Sequence, residues 1–144
     1  MHRFNVIPHK SIGPVELGMS RQQVRALLGE PSAVQVAHEK WDIQFPDKDY
    51  FYNNAFQVSY DSDLNADFIE AAADPAYRVT FDGIPVHESE PSVVFDAISK
   101  HASVDREERE YPLNLWFPEL HLNLYREHSE YDKFDTIGIS KAEK

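Results

Sequence analysis

Apolar residues recur along this chain at two different periods, and the switches between them mark out its elements. From Ser20 to Pro31 the period is helical, with Val24, Leu27 and Leu28 on one narrow stripe. Ser20 is a good N-cap, and Gln23 three residues on completes a capping box. Gly29 then suits a residue of positive φ at the C-terminus, and Pro31 forbids continuation. A second helix is expected from Pro91 to about His101, with Pro91 in the first turn and Val94, Phe95 and Ile98 on one side. Between and after these segments the period is two. Val34 and Val36, then Trp41, Ile43 and Phe45, then Phe56, Val58 and Tyr60 alternate with polar residues, and Pro46-Asp47-Lys48-Asp49 and Asn53-Asn54 read as turns. Tyr77, Val79 and Phe81 resume the pattern after Asp74-Pro75, and Leu113, Leu115, Phe117, Leu120, Leu122, Leu124, Ile137 and Ile139 carry it to the end.

Each half therefore reads as a helix followed by strands. Gly13-Pro14-Val15 precedes the first helix much as Gly83-Ile84-Pro85-Val86 precedes the second, and Phe56 to Tyr60 matches Leu120 to Leu124 in pattern. The expected fold class is α+β: an antiparallel sheet with short helices packed on one face, built as two tandem modules. The modules span residues 1–74 and 75–140 of one compact domain, with a flexible tail at 141–144.

Alternation also sorts side chains by face. Leu113, Leu115 and Phe117 share one side of their strand and leave Trp116 on the polar side with Asn114. Leu120, Leu122 and Leu124 leave His121, Asn123 and Tyr125 opposite, and Gln57 and Ser59 do the same in the first half. Large amphipathic aromatics among small polar groups serve as anchors in partner-binding surfaces. Gln57, Ser59, Trp116, His121, Asn123 and Tyr125 are thus the candidate partner-binding residues, unless a second layer, a loop or a homodimer covers that face. A pocket between sheet and helices, serving a small enzyme or ligand-binding protein, is the alternative reading.

Composition narrows the chemistry. With 144 residues, 42% hydrophobic and 27% charged, the chain can bury a core unaided and has no span of membrane length. It carries 25 acidic and 14 basic residues, a formal charge of -11 without any concentrated basic stripe, so no nucleic-acid or membrane partner is expected. Cysteine is absent, and with it disulfides, thiolate metal sites and cysteine nucleophiles. The opening Met1-His2-Arg3-Phe4-Asn5-Val6-Ile7-Pro8 lacks the apolar run of an export signal, which leads to a cytoplasmic expectation.

Asp61 to Asp67 places oxygen ligands at alternate positions, but Ala66 stands where a calcium loop turns on glycine and Ala72 where it closes on glutamate. A polar hairpin turn accounts for it. No two of the seven histidines share a helical or strand face at ligand spacing, and there is neither a nucleophile elbow nor a phosphate-cradling loop. Neither enzyme activity nor a cofactor is expected.

Ile12-Gly13-Pro14-Val15-Glu16-Leu17-Gly18-Met19-Ser20, followed by Val24, Leu27-Leu28-Gly29 and Pro31, resembles the opening of modules shared by the beta-lactamase inhibitor protein and the SmpA/OmlA outer-membrane assembly lipoproteins. The resemblance implies helices on one side of an antiparallel sheet, two modules in tandem, and an exposed sheet face that grips another protein. Small acidic domains of this kind also look like bacterial immunity proteins. That likeness implies a partner such as a basic toxin, with acidity speeding encounter and aromatics slowing escape.

Overall fold

A computed structural model describes residues 1–142. The expected tail at 141–144 therefore falls partly outside the described residues, at 143 and 144.

The first helix forms where its punctuation requires. Helix α1 covers Arg21–Leu28; the Gln23 amide donates to Ser20 Oγ at 3.1 Å while the Ser20 amide donates to Gln23 Oε1 at 2.9 Å. Gly29 ends it at a φ of 88°. Helix α2 covers Pro91–Ser99, with Pro91 at its start and Glu90 at the N-cap making no side-chain capping bond.

Strands dominate everything else. In chain order they are β1 (His2–Ile7), β2 (Ser11–Ile12), β3 (Val15–Glu16), β4 (Ala33–Gln35), β5 (His38–Lys40), β6 (Ile43–Phe45) and β7 (Asp47–Phe51). There follow β8 (Phe56–Tyr60), β9 (Ala66–Ala72), β10 (Tyr77–Phe81), β11 (Ile84–Pro85), β12 (Asn114–Phe117), β13 (Leu122–Tyr125) and β14 (Thr136–Ser140). Seven of them make one sheet in the order β12-β13-β14-β9-β8-β7-β4, five make a second in the order β11-β10-β1-β2-β3, and β5 and β6 form a separate hairpin.

This corrects the expected fold class. The protein is mostly β, 42% strand against 14% helical, in several sheets rather than one sheet beneath a helical layer. The five-stranded sheet supplies most of the cover: Phe4, Val6, Ile12, Val15, Tyr77, Val79 and Phe81 are buried in one cluster with the inner face of the seven-stranded sheet. The helices add Val24, Val94, Ala97 and Ile98, with Leu28 and Phe95 partly buried against the same core. Phe4 joins the layers, its ring stacked on Tyr77 at 4.6 Å and edge-on to Phe56 at 5.7 Å. The reason is helix length, since eight or nine residues present about two turns and cannot shield seven strands. The sheets are also not wholly antiparallel. β1 and β10 run parallel, with Phe4 opposite Val79.

Alternation within the large sheet follows the pattern of the chain. Phe56, Val58, Ile69, Ala71, Leu115, Phe117, Leu122, Leu124, Ile137 and Ile139 all face the core. Asp47 to Asp49, expected in a turn, instead belongs to β7, and Asp49 points inward beside Phe51. Residues 61–65 form the expected polar turn: Asp61 Oδ1 accepts from the amides of Asp63 and Asn65 at 2.9 and 3.0 Å.

Candidate functional site

The outer face of the seven-stranded sheet is organised in rows set by register. One row crosses every strand: Trp116, Asn123, Gly138, Glu70, Gln57, Tyr50 and Ala33 stand opposite one another in succession. A second joins Asn114, Tyr125, Thr136 and Ala72, and a third joins Ser140, Phe68, Ser59 and Lys48. Because side chains alternate, a row opposite the core is the only place these polar groups can share.

The six candidate residues thus fall on or beside one surface, though not equally. Gln57, Trp116, Asn123 and Tyr125 are half-buried among their cross-strand neighbours. Ser59, between Lys48 and Phe68, is only 4% exposed and offers a partner almost nothing. His121 lies outside the strand. It closes the 3-10 turn Pro118–Leu120 at a φ of 46°, and its ring meets Trp116 edge-on at 5.7 Å and His9 at 5.6 Å. His9 Nε2 in turn donates to the carbonyl oxygen of Glu119 at 2.8 Å, tying the β1–β2 turn to this corner.

Packing is close at the centre of the row. Gly138 leaves room for Asn123 and Phe68, since a Cβ there would lie 2.6 Å from Asn123 Oδ1 and 2.9 Å from the Phe68 ring. Asn123 Nδ2 donates to Asn114 Oδ1 at 3.2 Å, and Lys48 Nζ donates to Gln57 Oε1 at 3.4 Å. Burial raises the Glu70 carboxyl above the usual range, against a smaller opposing pull from Lys48.

Beyond Trp116 the face opens into a depression of about 870 Å³ walled by Phe68, Trp116 and His121 on one side and by Asp61 and Asp67 on the other. Burial, and then the neighbouring Asp61 charge, raise Asp67. Aromatic walls beside two carboxylates, whose charge Lys141 at the same depression offsets in part, suit a cationic side chain. Among the described residues, no group of three or more His, Cys, Asp or Glu side chains is placed to hold a metal ion. Nor is any helix among them long and apolar enough to cross a membrane.

Alternation does not reveal one strongly exposed aromatic. Trp41, 80% exposed, tips the β5–β6 hairpin with its ring 4.4 Å from Lys40 Nζ. Its spacing with Ile43 and Phe45 suggests a strand, but Trp41 and Asp42 both adopt positive φ and form the turn. Two consecutive left-handed residues are what a tight hairpin demands, and Trp-Asp is not a sequence that announces one.

Among protein families, the outer membrane protein assembly factor BamE domain matches residues 5–70. This supports the SmpA/OmlA side of the resemblance, and the matched residues run from within β1 into β9. No curated protein and no solved structure gives a significant match. The match overturns the cytoplasmic expectation, because the similarity is to a domain that works in outer membrane assembly, at the cell envelope.

Proposed function

We propose that this chain is a protein-docking module of the cell envelope, serving outer membrane protein assembly, and that it binds through the outer face of its seven-stranded sheet. The observation that carries the reading is the row from Ala33 to Trp116, seven strands wide, directed away from the core and ending at an aromatic and acidic depression. The match of residues 5–70 to an assembly factor domain supports binding as the activity and the envelope as its place. A formal charge of -11 favours a basic partner, whose Lys or Arg side chain fits between Trp116, Phe68, Asp61 and Asp67.

Two tandem modules, 1–74 and 75–140, would share this face. In support, each contributes three or more strands to it, β1 lies beside β10 and β9 beside β14. The narrower idea of toxin neutralisation has only the acidity behind it, whereas the family match points to assembly.

The test is site-specific photocrosslinking in cells, with the photoreactive residue at Gln57, Trp116 or Tyr125. Crosslinks to outer membrane assembly proteins, lost in high salt, are the expected result. In vitro, Trp116→Ala with Tyr125→Ala should weaken that complex by more than about 2 kcal/mol. A folded double mutant of unchanged affinity would reject the face, and crosslinks to a second copy of the chain would replace the partner with a homodimer.

A further inference from the structure

Arg126, just beyond β13, is the most deeply buried cation in the described protein, at 5% exposed. Its Nη2 donates to the Pro112 carbonyl oxygen at 3.0 Å and its Nη1 to that of Asp132 at 3.3 Å, and the guanidinium lies 4.7 Å from the centre of the Phe134 ring. Nε has no partner, and no carboxylate among the described residues forms an ion pair with this side chain. Two carbonyls, a ring and the charges of Glu130 and Asp132, neither in direct contact, leave the buried guanidinium without a bonded anion.

That side chain forms part of the wall of a cavity of about 370 Å³ between α2 and the segments 111–115 and 130–134. The opposite wall includes Pro91 and Ser92, the first turn of α2, which contains no acidic residue and receives no cap from the Glu90 side chain. Pro91 has no amide hydrogen and the Val93 and Val94 amides are bonded to the Glu90 carbonyl, so the Ser92 amide and the helix dipole are what favour negative charge there. Phe95, Tyr111, Leu115 and Phe134 make the remaining lining largely apolar, and Arg106, held by the Tyr111 hydroxyl at 2.7 Å, adds a second cation. Asp96 and Glu130 also border the cavity, balance the two arginines in formal charge and disfavour a multiply charged anion.

We propose that this cavity binds a small monocarboxylate with an apolar body, its carboxylate between Arg126 and the start of α2. Its volume is within the range of small-molecule sites, about 300–1,000 Å³, and its mixture of apolar walls with a few convergent polar groups is characteristic of them. The site lies wholly outside the residues matched to the assembly factor domain and does not depend on the docking face.

Benzoate titrated into the full chain is the probe, with benzamide as its neutral isostere and inorganic phosphate as a compact anion. Benzoate should saturably shift the Arg126 Nε–Hε resonance and raise the unfolding temperature, whereas benzamide should do neither. Because Arg126 variants threaten the fold, Ser92→Trp, at an exposed rim position, is the blocking variant, and it should weaken benzoate at least tenfold. Equal responses to benzoate and benzamide, no shift at Arg126, or unimpaired binding by Ser92→Trp would each overturn the site. Phosphate binding as tightly as benzoate would overturn the apolar-bodied ligand.

Discussion

Arg25 grips the buried carboxylate of Asp49 with two parallel hydrogen bonds, Nε to Oδ2 at 2.9 Å and Nη2 to Oδ1 at 2.8 Å. Tyr60 donates its hydroxyl to the same Oδ2 at 2.9 Å, and Arg21, one turn before Arg25, stands 3.4 Å from Oδ1 with its guanidinium over the Tyr60 ring. A single inward carboxylate thus fastens α1 to the large sheet. This fastening is needed because Val24 is the helix's only fully buried side chain.

The two halves of that pair should differ in worth. Arg25 is a third exposed and can be rehydrated, whereas Asp49 is fully buried and cannot. Arg25→Ala should therefore cost about 3 kcal/mol, near the lower end for an interrupted buried pair, and Asp49→Asn clearly less. Urea unfolding of both variants at neutral pH measures the difference, and equal losses would contradict the asymmetry.

Acid should release the same contact. Burial alone would raise Asp49, but hydrogen bonds from Arg25 and Tyr60 and the charges of Arg21 and Arg25 hold it below the usual carboxylate range. A depressed folded value means the stabilisation is complete above the unfolded value of about 4 and disappears as pH falls through the folded one. Wild-type stability should drop across that acidic window by more than that of Asp49→Asn, as followed by thermal unfolding at stepped pH.

Glu70 should behave in the opposite sense. Its folded value is raised by burial, so its charged form penalises folding at neutral pH and the penalty vanishes as pH falls below the unfolded value. Glu70→Gln should raise the unfolding midpoint at pH 7 and lose that advantage under acid. A lower midpoint at neutral pH would show that the carboxylate is stabilising instead.

Gly138 should tolerate no side chain without cost. A methyl group would press on Asn123 and Phe68, the former flexible and the latter held in the third row, so Gly138→Ala should destabilise by about 1–3 kcal/mol. Pairing it with Phe68→Leu should recover part of the loss, as a double-mutant cycle would record.

The two tryptophans should report different environments. Trp41 is exposed and Trp116 half-buried, so Trp41→Phe should remove the acrylamide-quenchable, long-wavelength part of the emission. It should change stability by no more than about 0.5 kcal/mol.

Local chemistry was enough to place α1, the start of α2, the Asp61 turn and the division of leucines from Trp116, Asn123 and Tyr125, because caps, turns and alternation act over a few residues. Tertiary structure alone decided what lies above the leucines. The parallel pairing of β1 with β10 and the antiparallel pairing of β9 with β14 join segments about 70 residues apart, and nothing in a short window encodes such partners. The same holds for Asp49, a polar residue in an apparent turn that turns inward because two arginines and a tyrosine meet it there. It holds again for Arg126, whose burial depends on loops that close over it from Pro112 and Asp132. Period-two patterning specifies which side of a strand is apolar, while the layer that hides it is chosen by whichever distant segments bury the most surface together.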